Sequence, residues 1–266
     1  MNSKKTLNKI LVGFSLIFIC SCTTNYDYSR IRVAKVIDGD TVRLENGETL
    51  RYIGIDTPEI KIKQNGRFSY KPQPFALEAK KLNENLVRNK IVRIEFDVEK
   101  TDKYKRLLGY CFVGNTLVNA KLLEEGFAVI YTFPPNVKYV EALVNSQENA
   151  RKNAKGMWGI YETISANNAV SYINQIRTVK GRVTTAKHTK QGLTLYFGAS
   201  HFRLIIFNNA LKYFSDRNID PFNFYNGKIV EASGRIRGYN KTAQIIVSSP
   251  SEISIADEEQ FLLTTP

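Results

Sequence analysis

The chain has 266 residues, with 38 Lys+Arg against 25 Asp+Glu and a formal net charge of +13. That length fits two modest domains plus a targeting segment, and each domain is large enough to bury a core, so a disulfide-dependent miniprotein is excluded. The excess of positive charge favours polyanionic partners, either nucleic acid or acidic lipid heads.

The first 22 residues are typical of a bacterial export signal. Three lysines precede an apolar run at residues 10–20, which is too short for a spanning helix of roughly 20 apolar residues. Ser21-Cys22 then resembles the lipobox of bacterial lipoproteins, so Cys22 is the predicted site of lipidation. We therefore expect an exported protein, lipid-anchored to a membrane of the cell envelope; by the same resemblance, Thr23 after the cysteine permits the outer membrane. The alternative is an ordinary secretory signal.

Residues 23–29 form a short polar tether, and from residue 30 the sequence alternates as strands do. Five runs rich in β-branched and aromatic residues predict strands; they cover residues 31–37, 41–45, 49–55, 91–98 and 107–113. Asn46-Gly47 predicts a tight hairpin between the second and third runs. The polar stretch 61–74, with one glycine and two prolines, predicts a long surface loop.

Helical spacing predicts three helices in the same half of the chain. The first begins near Pro74, the second covers residues 117–128, and the third covers residues 140–155. Five strands and three helices predict, for residues 30–165, a mainly β (α+β) fold: a five-stranded OB-fold barrel capped by helices.

A second all-β pattern occupies residues 172–256, after a linker at 166–171 and before a tail at 257–266. Its order of three strands, a helix and two strands predicts a second OB-like barrel. From residue 170 to 256 there are 12 Lys+Arg against 4 Asp+Glu, which predicts a nucleic-acid-binding domain. The first candidates for phosphate contacts are Arg182, Arg203, Arg235 and Arg237. A packing or envelope-docking role is the alternative.

Carboxylates and arginines carry the candidate chemistry of the first domain. Both histidines lie in the second domain and Cys111 stands alone in the first, which excludes a His base or a His/Cys zinc site there. The charged residues cluster at 38–40, at Arg51, at 56–59 and at 102–106. Oxygen ligands alone favour Ca²⁺ or Mg²⁺, and a metal beside two arginines suits a phosphodiester anion.

At these residues the chain resembles the staphylococcal nuclease family, over about residues 30–161. The matching segments, in the family's order and spacing, are VIDGDTV (36–42), RYIGIDTPE (51–59), EFD (95–97), TDKYKR (101–106), LVNAKLLEEGFA (117–128) and Trp158. The resemblance implies a Ca²⁺-dependent endonuclease that hydrolyses DNA and/or RNA, leaves 3′-phosphate ends and uses no nucleotide cofactor.

The resemblance also implies a role for each site residue. Asp40, Asp56 and the backbone carbonyl of Thr57 would bind Ca²⁺, while Glu59 would act on the attacking water. The other assignments are Arg51 and Arg106 to the phosphate and the transition state, and Lys103, Tyr104 and Tyr131 to nucleotide and phosphate contacts. Asp38 is interpreted as a turn former rather than a ligand.

Two other classes of protein compete with this prediction. One is a non-catalytic module of the same fold that only binds nucleic acid, and the other is a structural envelope lipoprotein. The presence of Asp40, Asp56, Glu59, Arg51 and Arg106 together favours catalysis.

Overall fold

The computed structural model describes residues 26–64 and 66–257, which form two β-barrels and the helices around them. The predicted lipid acceptor, Cys22, lies outside these residues. Within the described ranges no helix is long and apolar enough to cross a membrane.

The first barrel is built from strands whose inward-facing residues are apolar. Its β-elements are β1 (Ile31–Val36), β2 (Thr41–Leu44), β3 (Thr49–Tyr52), β4 (Gly54–Asp56), β5 (Lys61–Gln64), β6 (Arg67–Tyr70), β7 (Ile91–Glu95), β8 (Leu107–Val113), β9 (Thr116–Leu117) and β10 (Val129–Tyr131). Its helices are α1 (Ala76–Val87), α2 (Val118–Glu124), α3 (Val140–Lys152) and α4 (Met157–Ile160).

Five strands close this barrel in the order β3-β2-β1-β7-β8, with a parallel β3–β8 pairing at the seam. Ile31, Val33 and Val36 of β1 point into the core. Ile31 and Val33 follow the alternation of a regular strand, and an irregularity in the β1–β2 register between Val33 and Lys35 turns Val36 inward in place of Lys35. The helices α1, α2 and α3 pack on this core through Val87, Leu122 and Leu143. The predicted five-stranded barrel with its helices is confirmed.

The prediction of a long surface loop at residues 61–74 was wrong. The segment forms a two-stranded antiparallel hairpin, β5–β6, before the chain enters α1. Gly66 sits in its turn with φ +80°, a conformation that glycine adopts at little cost. Asn65-Gly66 in the sequence is the same hairpin signal as Asn46-Gly47, and the neighbouring lysines and prolines obscured it.

Helices α2 and α3 end three to four residues earlier than their apolar periodicity suggests. The chain turns at Gly126 and Gly156, with φ +72° and +53°, and the backbones of the two turns touch. A Cβ on Gly126 would collide with the carbonyl of Lys155. The close approach of the two helix ends therefore requires glycine at Gly126, and the helices end before the two glycines.

The second barrel includes a short 3-10 helix at Ala166–Tyr172, between its first two strands. Its strands are β11 (Ile164–Ser165), β12 (Ile176–Arg182), β13 (Thr185–Thr189), β14 (Gly192–Tyr196), β15 (Phe202–Phe207), β16 (Ile229–Arg235), β17 (Arg237–Tyr239), β18 (Thr242–Ile246) and β19 (Ile253–Ile255). Its helices are α5 (Asn208–Ser215), α6 (Pro221–Tyr225) and a 3-10 turn, Pro250–Glu252.

The two sheets of this barrel are connected where a strand of one sheet continues into a strand of the other. β12 runs into β13, and β16 runs into β17 through the single residue Ile236. β14 pairs with β13 and β15, and β15 pairs in parallel with β18. Along the chain, β14 and β15 precede helix α5 and β16 and β18 follow it, which is the predicted sequence of strands, helix and strands. Ala166 and Ala169, predicted to lie in or beside a linker, pack into its core.

The two barrels pack against each other through an apolar cluster and buried polar contacts. Val129 and Met157 of the first domain are buried with Ile176 of the second. Glu252 accepts a hydrogen bond from the backbone N–H of Thr132 at 3.1 Å. This interface sets the β16–β17 corner directly over β4 and β10, the strands that carry Asp56 and Tyr131.

Candidate active site

Asp40 anchors one side of the site from the turn before β2. Its Oδ2 accepts hydrogen bonds from the backbone N–H and the hydroxyl of Thr57, each at 2.9 Å. The side chain of Thr41 donates to Oδ1 at 3.0 Å. These bonds hold a buried carboxylate beside the segment that follows β4, so the two acidic motifs of the sequence meet.

Arg51 bridges the two predicted metal-binding carboxylates. Its Nη1 lies 3.0 Å from Asp40 Oδ2, and its Nη2 lies 3.2 Å from Asp56 Oδ1. All three side chains are largely buried. Burial opposes the charged guanidinium, but Asp40 and Asp56 outweigh it and raise the pKa of Arg51.

Asp56 lies at the end of β4, where pairing with β10 sets it opposite Val129. Burial alone would raise the pKa of this carboxyl group, but the cations Arg235 and Arg51 lower it below its ordinary value. Asp56 therefore stays ionised although it is buried.

Asp38 supports the turn that carries Asp40. Its Oδ1 accepts a hydrogen bond from the backbone N–H of Asp40 at 3.2 Å, the contact of a turn former. Burial, reinforced by the charge of Asp40, raises the pKa of Asp38 to about 7.

Glu59 stands at the open side of the site. Its backbone N–H donates to Gln73 Oε1 at 2.8 Å, and its side chain is 48% exposed. Partial burial raises the pKa of Glu59, against the opposing charge of Arg235. A carboxylate that water reaches and whose basicity is increased suits a general base.

Arg106 immediately precedes β8, the strand that pairs with β3, which carries Arg51. The parallel register pairs Arg51 with Leu108, and because facing residues alternate, Arg106 precedes β8 on the same outer face as Arg51. Its Nε donates to Asp102 Oδ2 at 2.7 Å, and 33% of the side chain is exposed. Asp102 thus orients a guanidinium that solvent, and hence a phosphate, can reach.

The residues predicted to contact nucleotide lie at two places. Lys103 and Tyr104 are on the exposed turn that leads to Arg106, with Lys103 Nζ 5.1 Å from the centre of the Tyr104 ring. Tyr131 lies in β10 opposite Gly54, and its hydroxyl accepts a hydrogen bond from Arg237 Nη2 at 3.2 Å. The turn is open to solvent, whereas Tyr131 is covered by the second domain.

Arg235 enters the same site from the second domain. Its Nε donates to Asp56 Oδ2 at 2.8 Å, and its Nη2 donates to the Thr57 carbonyl at 2.7 Å. The sequence suggested Arg235 only as a phosphate contact of a separate barrel. No local signal could place it here, because Arg235 and Asp56 are 179 positions apart.

The other two candidates for phosphate contacts, Arg182 and Arg203, lie elsewhere on the second barrel. Arg182 Nη1 donates to the carbonyl of Gly227 at 2.9 Å, and Arg203 donates to Gln244 Oε1. They belong to the surface of that barrel rather than to the acidic site.

The oxygens predicted to hold a metal have suitable chemistry, but guanidinium groups already engage them. Two carboxylates and a carbonyl are hard ligands of the kind that Ca²⁺ takes. Within the part of the chain that the structure describes, no group of three or more His, Cys, Asp or Glu side chains forms a metal-ligand cluster. The donor set thus suits Ca²⁺ by its chemistry, while Arg51 and Arg235 occupy its oxygens in this structure.

The first domain is similar in sequence to several known proteins. The family model described as "Staphylococcal nuclease homologue" matches residues 49–159. A thermonuclease of Staphylococcus hyicus is 36% identical over 138 residues, which cover 51% of this chain and 79% of that protein. The endonuclease YncB of Bacillus subtilis is 37% identical over 133 residues, 48% of this chain and 61% of the relative.

A longer match is to a nuclease of a bacterial prophage. The SPbeta prophage-derived endonuclease YokF of Bacillus subtilis is 32% identical over 162 residues, 59% of this chain. The match spans only 53% of YokF, so this chain corresponds to about half the length of that relative.

Proposed function

Because this chain belongs to the staphylococcal nuclease family, we propose that it is an endonuclease that hydrolyses phosphodiester bonds of DNA and/or RNA. The observation that carries the proposal is that Asp40 and Asp56 meet at the buried guanidinium of Arg51, with Thr57 bonded to Asp40 and Glu59 at the open side. The relatives named as thermonuclease and endonucleases support the same chemistry.

Ca²⁺ is the cofactor that we propose for this reaction. Asp40, Asp56 and the Thr57 carbonyl would hold it, and when bound it would supply positive charge to the phosphodiester oxygens. Oxygen-only ligands without a histidine or thiolate favour such a hard cation.

The side chains of the protein divide the remaining work. Glu59, half exposed and of raised basicity, takes a proton from the attacking water. Arg106, held by Asp102 at Nε, presents its guanidinium to the phosphate and to the negative charge that grows on it. Attack at phosphorus breaks the bond to the 5′-oxygen, which takes a proton from solvent, so the products carry a 3′-phosphate and a 5′-hydroxyl.

Hydrolysis by the purified full chain tests this function. End-labelled single-stranded DNA, duplex DNA and RNA would be incubated with Ca²⁺, and in parallel with excess chelator, beside Glu59→Gln as the matched inactive variant. We expect Ca²⁺-dependent cleavage with 3′-phosphate ends. Undiminished cleavage in chelator, or equal rates in Glu59→Gln, would overturn the assignment.

A non-catalytic nucleic-acid-binding or envelope module is the alternative function. It predicts binding without turnover under every metal condition. The presence of Glu59, Arg51 and Arg106 together with the two aspartates favours the enzyme.

We further propose that the second barrel binds the polymer and that Cys22 carries a lipid. The excess of basic residues after position 170 supports binding that weakens with salt. In the full chain, Arg182→Ala and Arg203→Ala should each weaken binding of single-stranded DNA at low salt, whatever its sequence. Unchanged affinity in both variants would favour a protein or cell-wall partner for this barrel.

A further inference from the structure

Arg235 makes four hydrogen bonds to acceptors of the first domain and of the segment before β12, and its Nη2 also lies 3.7 Å from Glu59 Oε1. Besides Asp56 and the Thr57 carbonyl, its Nη1 donates to Gln73 Oε1 at 3.1 Å and to the Asn174 carbonyl at 3.0 Å. Its side chain is 11% exposed. Each of the three guanidinium nitrogens thus has a protein acceptor. This pattern is typical of a structural arginine rather than of one whose donors are free to bind substrate.

Two of these acceptors are the oxygens assigned to the metal. Arg235 nitrogens lie 2.8 Å from Asp56 Oδ2 and 2.7 Å from the Thr57 carbonyl oxygen. Ca²⁺ sits about 2.3–2.6 Å from its oxygen ligands, so a guanidinium and the ion need the same space beside the same two atoms.

From this geometry we infer that Arg235 and a divalent cation are alternative occupants of the Asp56 and Thr57 oxygens, so that Arg235 sets the metal affinity of the site. The inference rests on the metal ligands of the proposed function. It makes the second domain part of the catalytic site, in addition to its proposed role in binding the polymer.

The backbone around Arg235 holds the guanidinium in place. Arg235 ends β16, where it pairs with Ile176, and the next residue, Ile236, is buried in the second core. Ile236 donates to Gln175 O at 2.9 Å and accepts from Asn174 N at 2.7 Å. The guanidinium is therefore presented by a fixed corner, and a cation must displace the side chain from its acceptors to bind.

Calcium binding without nucleic acid tests the inference. CaCl₂ would be titrated into the purified full chain by calorimetry, for the wild type, Arg235→Ala and Arg237→Ala. Arg237 is the matched control: it lies two residues away, its charge also acts on Asp56, and it contacts Tyr131 rather than the metal-ligand oxygens. Arg235→Lys keeps the charge without the fork of donors, and it serves if the alanine variant does not fold.

We expect Arg235→Ala to bind Ca²⁺ at least about tenfold more tightly than the wild type, since a site that is blocked in nine molecules of ten loses a factor of ten in apparent affinity. Arg235→Lys should also gain affinity, and Arg237→Ala should gain clearly less than Arg235→Ala. Equal gains in the two alanine variants would reduce the effect to general charge and overturn the inference. So would unchanged or weaker binding in Arg235→Ala.

The same variants separate this inference from the proposed function. If Arg235→Ala gains Ca²⁺ affinity while no form hydrolyses nucleic acid, the competition stands and the nuclease assignment fails. If the wild type hydrolyses nucleic acid with Ca²⁺ and Arg235→Ala gains no affinity, the nuclease assignment stands and the competition fails.

Discussion

Arg51 and Arg106 have the same predicted catalytic role but very different surroundings, and their methionine variants should therefore differ in stability. Arg51 is 14% exposed and bridges two carboxylates that are 8% and 9% exposed. Arg106 is 33% exposed and pairs with Asp102 across one turn of chain. Methionine keeps much of the length of arginine and removes the charge, so the comparison isolates the ion pairs.

Loss of one partner from a buried ion pair costs about 3–5 kcal/mol, because the remaining charge is left buried and unpaired. In Arg51→Met, Asp56 keeps Arg235 and Asp40 keeps its two bonds from Thr57. We therefore expect the lower end, about 3 kcal/mol of unfolding free energy. Arg106→Met loses a partly solvated pair, which contributes up to about 1 kcal/mol.

Urea denaturation in chelator, followed by tryptophan fluorescence and circular dichroism, measures both variants against the wild type. Both should also lose turnover by about 10²-fold or more, the scale of one positioned group that stabilises the transition state. Equal losses of stability would refute the reasoning, because they would show that the bridge between Asp40 and Asp56 contributes no more than an exposed pair.

Three further predictions concern single side chains. Glu59→Gln should lower turnover by about 10²-fold or more while the affinity for nucleic acid changes little; single-turnover rates and binding titrations measure the two, and a normal rate would exclude Glu59 as the base. Burial raises the pKa of Glu252 from 4.5 to about 7, so its stabilising contribution is full below pH 4.5 and is lost as the pH rises through 7, by about 3 kcal/mol in all. Glu252→Gln should flatten the Tm between pH 5 and 8, and a profile as steep as that of the wild type would contradict this cause. Cys22→Ser should move the protein from the membrane fraction to a soluble or unprocessed form, since several lipid chains anchor stably; normal processing and retention would rule out the lipidation.

Much of the first barrel could be predicted because its information is local. The alternation of Ile31 and Val33 sets which face of β1 is buried at its start, and Asn46-Gly47 sets the turn between β2 and β3. The charged motifs around Asp40 and Asp56 have the order and spacing of the family that the sequence resembles, and that resemblance predicted that Asp40, Asp56 and Thr57 would meet.

What the sequence could not supply depends on contacts between distant segments. Arg235 is one of several arginines in a basic barrel, and its own neighbours carry no sign that it reaches Asp56. Its position follows from how Val129 and Met157 pack on Ile176. That packing depends on the complementary shapes of two domain surfaces, which no local sequence pattern encodes. The expectation that the second domain only holds the polymer is therefore extended, since its arginine also lies in the acidic site.

The apolar seam between the barrels also bears on the order in which the chain is made. Domains generally fold as units during synthesis, with the N-terminal one first. The first barrel and its helices are complete at Ile160, before β12 has been translated. Until then Val129 and Met157 lack the Ile176 side chain that covers them, and Asp56 has Arg51 but not yet Arg235. The nascent first domain thus exposes an apolar surface at Val129 and Met157 and an acidic cleft at Asp56. Both are covered only after the last third of the chain has been translated.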